Sequence, residues 1–529
     1  MADTQREIER KFEFTGGRGG KGGSGPGGRG KKAARDRKDA GARRRVPDLT
    51  GTAAIAAVRD RGTALLDAVY YDTPDGALAA DGLTLRRRTG GEDAGWHLKL
   101  PVAPGVRDEV RTPLSDGIPP ELAALVRSRT RRTGLEPRVR LRSERRTDDL
   151  LDADGNLLAH LCTDSVRAER GNAATAWTEI EVELAEGADP ALLDAVTARF
   201  AEAGLHPSDA PSKAVRALAA LGAAPPPDRP APGPADGTAG AHVLAYLREQ
   251  RDTLVAQDPA VRRDQPDSVH RMRVATRRMR SALATHRKVL DRTATDPLRA
   301  ELRWLGAELG ADRDREVLLE RLRARLAELP PALRAGPVRD RLRAWNTTRR
   351  ARTRRRAVAA LDGERYLDLL DSVDALLAAP PLRKAAARPA SRPLRKAVLR
   401  DWDRLADRVA TALALDPGEE RDRALHEARK AAKRARYAAE TAAPALGKPA
   451  RRLAKAAKKV QTLLGEHRDA VVTREALLGL SAQASDAGES AFTWGLLYGR
   501  EEGLSSRLEH RLPAIWAKAE SRRSRAAPK

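Results

Sequence analysis

The chain has 529 residues, with 99 Lys and Arg against 74 Asp and Glu, a formal charge of +25 and 3% aromatic residues. That length exceeds one ordinary core and predicts two to four domains. The charge favours a polyanionic partner, whereas scarce Phe and Tyr argue against a base-stacking nucleic-acid binder, so specific nucleic-acid recognition is not expected. The single cysteine, Cys162, excludes an internal disulfide and a multi-cysteine metal site, and reads as a half-buried structural thiol. No 18-residue apolar run and no signal-peptide core is visible, which predicts a cytoplasmic protein without membrane contact.

The first element is "REIERKF", residues 6–12. In an extended strand Glu7, Glu9 and Lys11 share one face, and a charged face turned inward implies a charged ligand. The Gly/Arg/Lys tract 15–45 has too little apolar surface to fold and is expected to be a disordered insertion within the first domain. Strand signals follow in "AVYYDTP", "LTLRRRTG", "GWHLKLP", "PRVRLRSERRTDDLLDADGNLLAHLCTDSV" and "TEIEVEL", with helical patches at 189–205 and 211–221. The expected fold there is α+β, around an antiparallel sheet. A Pro/Gly/Ala stretch, 223–240, reads as an extended linker. Beyond it the pattern is helical, ending in a basic tail at 521–529.

Several of these strands carry charge at same-parity positions where a core strand would be apolar. Arg86 and Arg88 share a face, as do His97 and Lys99, then Arg138, Arg140 and Arg142, and finally Glu179, Glu181 and Glu183. Two acidic strands and three basic ones describe a barrel with a charged bore. Carboxylates suit Mg²⁺ or Mn²⁺, and Arg forks and Lys suit phosphate oxygens, so the combination fits a metal–polyphosphate complex.

The E-x-E-x-K opening, the arginines of "LTLRRR", the Lys99 strand, Asp164, the "EIEVEL" strand and the "PSKAVRAL" helix occur in the order that resembles the CYTH domain of the triphosphate tunnel metalloenzymes, over residues 4–222. The resemblance implies an eight-stranded antiparallel tunnel acting on a triphosphate-bearing substrate. It implies Glu7, Glu9, Glu179 and Glu181 as metal ligands, with Glu183 as the alternative to Glu179. Asp164 would support the metal or the attacking water, completing a catalytic set with Glu7, Glu9 and Lys11. Lys11, Arg86, Arg88, Lys99, Arg140 or Arg142, and Lys213 would hold the phosphate chain. His97 has no spacing for a partnered general base and reads as structural.

The helical half contains a duplication. "HRMRVATRRMRSAL" starts at His270 and "HEARKAAKRARYAA" at His426; "LGADRDREV" starts at Leu309 and "LGEHRDAVV" at Leu464, so the offsets are 156 and 155 residues. At about 100° per residue, His270, Arg273, Arg277 and Arg280 fall in one stripe about 80° wide, opposite Met272, Ala275, Met279 and Leu283. His426, Arg429, Lys433 and Arg436 repeat the stripe, opposite Ala428, Ala431, Ala435 and Ala439. Like charges one turn apart repel, so two copies of such a stripe point to a bound polyanion. With the adjoining Arg278, Lys430 and Arg434, these are the candidate polyphosphate-binding residues.

These phrases resemble the CHAD domain, over about 238–520. The resemblance implies an all-α domain of two pseudo-symmetric four-helix bundles, about 241–375 and 393–520, whose basic faces bind inorganic polyphosphate. The histidines read as hydrogen-bond donors to phosphate rather than metal ligands, and the Arg313–Asp314 and Arg468–Asp469 pairs as groups that orient neighbouring cations. The expected function is divalent-metal-dependent hydrolysis of triphosphate or polyphosphate in the tunnel, with polyphosphate captured by the helical half. The alternative is a non-catalytic polyphosphate-binding protein of polyphosphate granules.

Overall fold

The computed structural model describes residues 3–14, 46–223 and 234–526. The 15–45 tract, most of the linker and the last three residues of the tail therefore lie outside the described residues. Internal contacts divide the chain into two units, Met1–Asp228 and Arg229–Lys529.

The first unit is a ring of strands: β1 (Asp3–Phe14), β2 (Ala57–Asp72), β3 (Thr84–Thr89), β4 (Gly95–Ala103), β5 (Val106–Thr112), β6 (Glu136–Leu151), β7 (Leu157–Arg170) and β8 (Ala173–Leu184). Neighbours run β5-β4-β3-β2-β6-β7-β8-β1, all antiparallel, and β1 pairing with β5 closes the circle. A three-residue β9 (Leu205–Pro207) extends the end of β1. Local chemistry sets the register. The "DADGN" hairpin closes because the Asp152 carboxylate accepts the backbone N–H of Asp154 and Asn156, while Gly155 takes φ 80°.

Helices α1 (Ala77–Ala80), α2 (Pro120–Thr130), α3 (Ala191–Glu202) and α4 (Lys213–Ala220) complete this unit. The strands turn apolar residues outward: Leu85, Leu98 and Val110 cluster with Leu122 and Val126 of α2, and Ile180 and Val182 with Val196 and Phe200 of α3. Period-2 alternation then directs the intervening charged residues into the ring. Ser212 caps α4 by accepting from the Val215 N–H, and Ala214 and Ala217 pack with Val139, Leu141 and Val166. Cys162 is buried on β7, 3.9 Å from the Thr147 hydroxyl.

The second unit is all-helical: α5 (Ala239–Arg262), α6 (Ser268–Thr285), α7 (Arg292–Glu308), α8 (Gly310–Ala327), α9 (Val338–Asp362), α10 (Glu364–Ala378), α11 (Ser391–Leu413), α12 (Glu419–Leu446), α13 (Lys448–Asp486) and α14 (Phe492–Ala526). The second copy of the repeat uses four unbroken helices, α11–α14. The first copy has the same plan, but its third helix divides at Leu309 into α7 and α8, and its fourth divides at Gly363 into α9 and α10. Met272, Ala275, Met279 and Leu283 of α6 are buried, as are Ala428, Ala431, Ala435 and Ala439 of α12. They join one apolar core shared by both copies.

Candidate functional site

Seven of the eight ring strands, together with the start of α4, line one cavity in the first unit. Glu7, Glu9 and Lys11 point into it from β1. Lys99 Nζ lies 2.5 Å from Glu7 Oε2 and 3.6 Å from Glu9 Oε2. Lys11 Nζ lies 3.0 Å from Glu181 Oε1, and Lys213 Nζ lies 2.7 Å from Glu181 Oε2 and 2.9 Å from Asp164 Oδ2. Arg145 clamps Asp164 with two donated bonds, 2.8 and 2.6 Å, and donates a third to Glu181 at 2.9 Å. Arg86 donates to the Tyr70 hydroxyl at 3.3 Å, and Arg88 pairs with Asp93. Each buried charge thus faces an opposite one, which offsets its desolvation.

The carboxylates are not equivalent. Burial pushes Glu7 up to about 7, against the opposing pull of Lys99. Burial would raise Glu9 too, but Lys99 and Lys11 hold it at about 2. His97 is buried 3.2 Å from Glu109 and is pushed by burial down to about 4. Glu179 Oε1 is buried and accepts no hydrogen bond, with the Lys213 ammonium 3.4 Å away. A spare buried carboxylate oxygen beside Glu7, Glu9, Glu181 and Glu183 is a donor set that fits a hard divalent cation, Mg²⁺ or Mn²⁺.

The structure brings Glu7, Glu9, Lys11, Arg86, Arg88, Lys99, Glu181 and Lys213 together around this cavity, with Glu183. Asp164 is fully buried behind Arg145 and Lys213, where it orients those two cations. Glu179 meets the cluster through Lys213, and its other oxygen accepts from the Trp177 indole at 3.0 Å.

Arg140 and Arg142 are corrected. Both lie on the outer face of β6, where Arg140 pairs with Asp67 and Arg142 is 52% exposed. On β6 the inward positions are odd-numbered: Val139 and Leu141 are buried, and the arginine that reaches the cavity is Arg145. Charged alternation alone did not reveal which face was inside. Sequence reasoning also missed Arg107, Glu109 and Arg111 of β5, although "VRDEVRT" carries the same period-2 charge signal. Arg145→Ala is expected to weaken binding of a phosphate polyanion in this cavity about 10–100-fold, the value of a charge-assisted phosphate contact, while Arg140→Ala changes it less than about twofold. Calorimetric titration of both variants with tripolyphosphate checks this.

In the second unit, α6, α8, α12 and α13 line a pocket with His270, Arg273, Arg277, Arg313, Asp314, His426, Arg429, Lys433, Arg468 and Asp469. Arg280 and Lys430 line an adjoining pocket that shares Arg273, Arg277, Arg429 and Lys433. Glycine explains how the two key arginines sit. A Cβ on Gly310 would lie 3.4 Å from Arg273 Nη2, and one on Gly465 would lie 3.6 Å from Arg429 Nε. Each "LG" glycine therefore admits the guanidinium of the neighbouring helix. Arg273 donates to the Gly310 carbonyl at 3.2 Å and to Asp314 at 3.0 Å. Burial lowers both His270 and His426, helped by Arg313 and Arg277 at the first and by Lys430 and Arg468 at the second, and His426 Nδ1 is buried without a hydrogen-bond partner.

Arg278, Arg434 and Arg436 are placed elsewhere. Arg278 lies 3.5 Å from Glu440, Arg434 pairs with Asp401 at 3.0 Å, and Arg436 pairs with Glu440 at 2.6 Å. The position eight residues after each histidine lies about 80° beyond the stripe on the far side, which turns Arg278 and Arg434 away. Arg436, at the stripe's edge, is taken by a carboxylate one turn on.

Burial and the charges of Arg429, Arg277 and Arg273 push Lys433 down to about 7. A bound polyanion favours its protonated form. Affinity of this pocket for a polyanion such as polyphosphate is therefore expected to be highest below pH 7 and to weaken as pH rises through 7 to 8. Lys433→Arg, charged throughout, is expected to flatten that profile in calorimetric titrations.

The chain matches the CYTH domain family over residues 56–218, a span that starts after β1, and the CHAD domain family over residues 245–478. Two uncharacterized proteins from two strains of Mycobacterium tuberculosis are 39% identical over 491 residues, which is 89% of this chain and 93% of theirs. Similar solved structures include PptA from Streptomyces chartreusis (25% identity, 53% of this chain, 99% of that chain, TM-score 0.43). The CHAD domain from the plant Ricinus communis is similar at 28% identity, over 56% of this chain and 97% of that chain, with a TM-score of 0.44.

Proposed function

Because the chain belongs to the proteins that join a CYTH domain to a CHAD domain, we propose that its strand ring hydrolyses a phosphoanhydride of inorganic triphosphate or polyphosphate and that its helical unit binds polyphosphate. The observation that carries this reading is the opposed lining of the ring, with Glu7, Glu9, Glu181 and Glu183 sharing one cavity with Arg86, Arg88, Arg145 and Lys213. A phosphate chain needs the cations. Carboxylates in the same cavity make sense when a divalent ion accompanies it.

Glu7, Glu9, Glu181 and Glu183 would hold Mg²⁺ or Mn²⁺, which supplies Lewis-acid polarisation of phosphoryl oxygens and an activated water. Arg86, Arg88 and Arg145 grip phosphate oxygens by their forks, and Lys99 and Lys213 offset the charge on the terminal group as water displaces the chain and orthophosphate leaves. Among the described residues the cavity offers one aromatic ring, Tyr70, already engaged by Arg86, which favours an inorganic chain over a nucleoside.

In the helical pocket Arg273, Arg277, Arg429 and Lys433 supply the cations and His426 Nδ1 a free hydrogen-bonding atom. Among the described residues no helix is long and apolar enough to cross a membrane. The test is orthophosphate release from tripolyphosphate with Mg²⁺ or Mn²⁺. Metal-dependent release supports the enzyme. Absence of release with retained polyphosphate binding leaves a binding protein.

A further inference from the structure

Away from both pockets, three side chains from three helices of the second copy converge. His467 of α13 is 2% exposed, and its Nε2 lies 3.3 Å from Asp422 Oδ1 of α12 and 3.1 Å from Glu509 Oε1 of α14. All three atoms lie within 4.8 Å of one another. The outer oxygens are held separately: Arg474 donates to Asp422 Oδ2 at 3.3 Å, and Arg421 Nε lies 3.1 Å from Glu509 Oε2.

One imidazole nitrogen faces two inner carboxylate oxygens, yet Nε2 carries a single proton or a single lone pair. It serves one of those oxygens well and leaves the other short. A cation bonded to all three atoms removes the mismatch. The two nitrogen–oxygen spacings, 3.3 and 3.1 Å, suit one: four-coordinate Zn²⁺ with bonds near 2.0–2.1 Å places its ligand atoms about 3.3 Å apart. The guanidinium groups act as second partners that fix each carboxylate's orientation, and Glu502, 3.6 Å from Arg474, offsets part of their charge.

We propose that Asp422, His467 and Glu509 form a binding site for a divalent transition ion of the Zn²⁺ type, one per chain, joining α12, α13 and α14. By the repeat offsets the first copy has Pro266 and Asp312 where the second has Asp422 and His467, so it lacks this donor set. The next residues along α13, Arg468 and Asp469, line the polyanion pocket, so the ion would also fix the helix that presents them. One nitrogen and two carboxylate oxygens suit Zn²⁺ or Co²⁺ better than Mg²⁺.

The test uses full-length protein, stripped by chelator, loaded with Zn²⁺ or Co²⁺ and desalted. Wild type is expected to retain one more Zn²⁺ per chain than His467→Gln or Asp422→Asn, and to gain several degrees in Tm on Zn²⁺ addition that both variants lose. Co²⁺ is expected to show the intense visible band of four-coordinate nitrogen–oxygen ligation in wild type alone. All-oxygen sites in the strand ring give only weak absorption. Equal Zn²⁺ content in wild type and variants overturns the site. So does absence of the intense Co²⁺ band in wild type, a result that requires no variant to fold.

Discussion

Glu7→Gln is expected to lower the rate of orthophosphate release from tripolyphosphate by roughly 10³-fold or more, because a lost metal ligand forfeits several kcal/mol of transition-state stabilisation. Polyphosphate binding by the helical unit is expected to persist. The same substitution is expected to stabilise the metal-free fold. Glu7 is buried, and desolvation raises its folded pKa from 4.5 to about 7. A carboxyl raised in the folded state binds more protons there than in the unfolded chain, so stability falls as pH rises through pH 4.5–7. Above that window ionised Glu7 costs roughly 3 kcal/mol. Gln carries no such charge, so denaturant unfolding at pH 8 is expected to give a more stable metal-free variant, whereas near pH 4 the two proteins converge. A variant that is inactive and also less stable at pH 8 would mean that the Lys99 pairing outweighs burial.

The second large effect belongs to the helical pocket. Replacing Arg273 and Arg429 together by Glu is expected to weaken long-chain polyphosphate binding at least about 10²–10⁴-fold. Two charge-assisted contacts of about 1.5–3 kcal/mol each are lost, and repulsion is added. Tripolyphosphate hydrolysis is expected to stay within about twofold of wild type. The two sites are pseudo-equivalent: each guanidinium rests over the glycine of an "LG" phrase. They differ in partners, because Arg273 is tied to Asp314 at 3.0 Å while Arg429 Nε is buried without a hydrogen-bond partner. Arg429→Gln alone is therefore expected to cost more affinity than Arg273→Gln. Binding of long chains by the double mutant at moderate salt would show that this pocket does not hold polyphosphate.

The sequence signalled the charged faces of β1, β3, β4 and β8 because each places two or three charges at alternate positions; the residues between are apolar on β4 and β8, while Arg10 and Arg87 interrupt the other face of β1 and β3. Burial of Leu85, Leu98, Ile180 and Val182 under helices leaves those charges no other direction than inward. The β6 arginines misled for the same reason: "PRVRLR" has perfect alternation, but its apolar residues fill the interior near α4 while its arginines meet outer carboxylates. Distinguishing the faces required the packing of Ala214 and Ala217, which lie more than 60 residues further along the chain. In the helical half the duplicated phrases located α6 and α12, and angle arithmetic separates Arg273 and Arg277 from Arg278. The division of one helix at Leu309 was not legible, since Leu464–Gly465 carries the same dipeptide within an unbroken α13. Nor was the Asp422–His467–Glu509 cluster, whose members are joined only by the packing of three helices.

Whether opposed carboxylates and cations inside the strand ring enclose a phosphate chain is decided by a crystal structure of the full-length protein with tripolyphosphate and Mn²⁺. The phosphate chain is expected within the ring, gripped by Arg86, Arg88, Arg145 and Lys213, with Mn²⁺ against Glu7 and Glu9. Tripolyphosphate bound only to outer arginines such as Arg140 and Arg142, with the inner ion pairs of Lys99 and Lys213 intact, would contradict it.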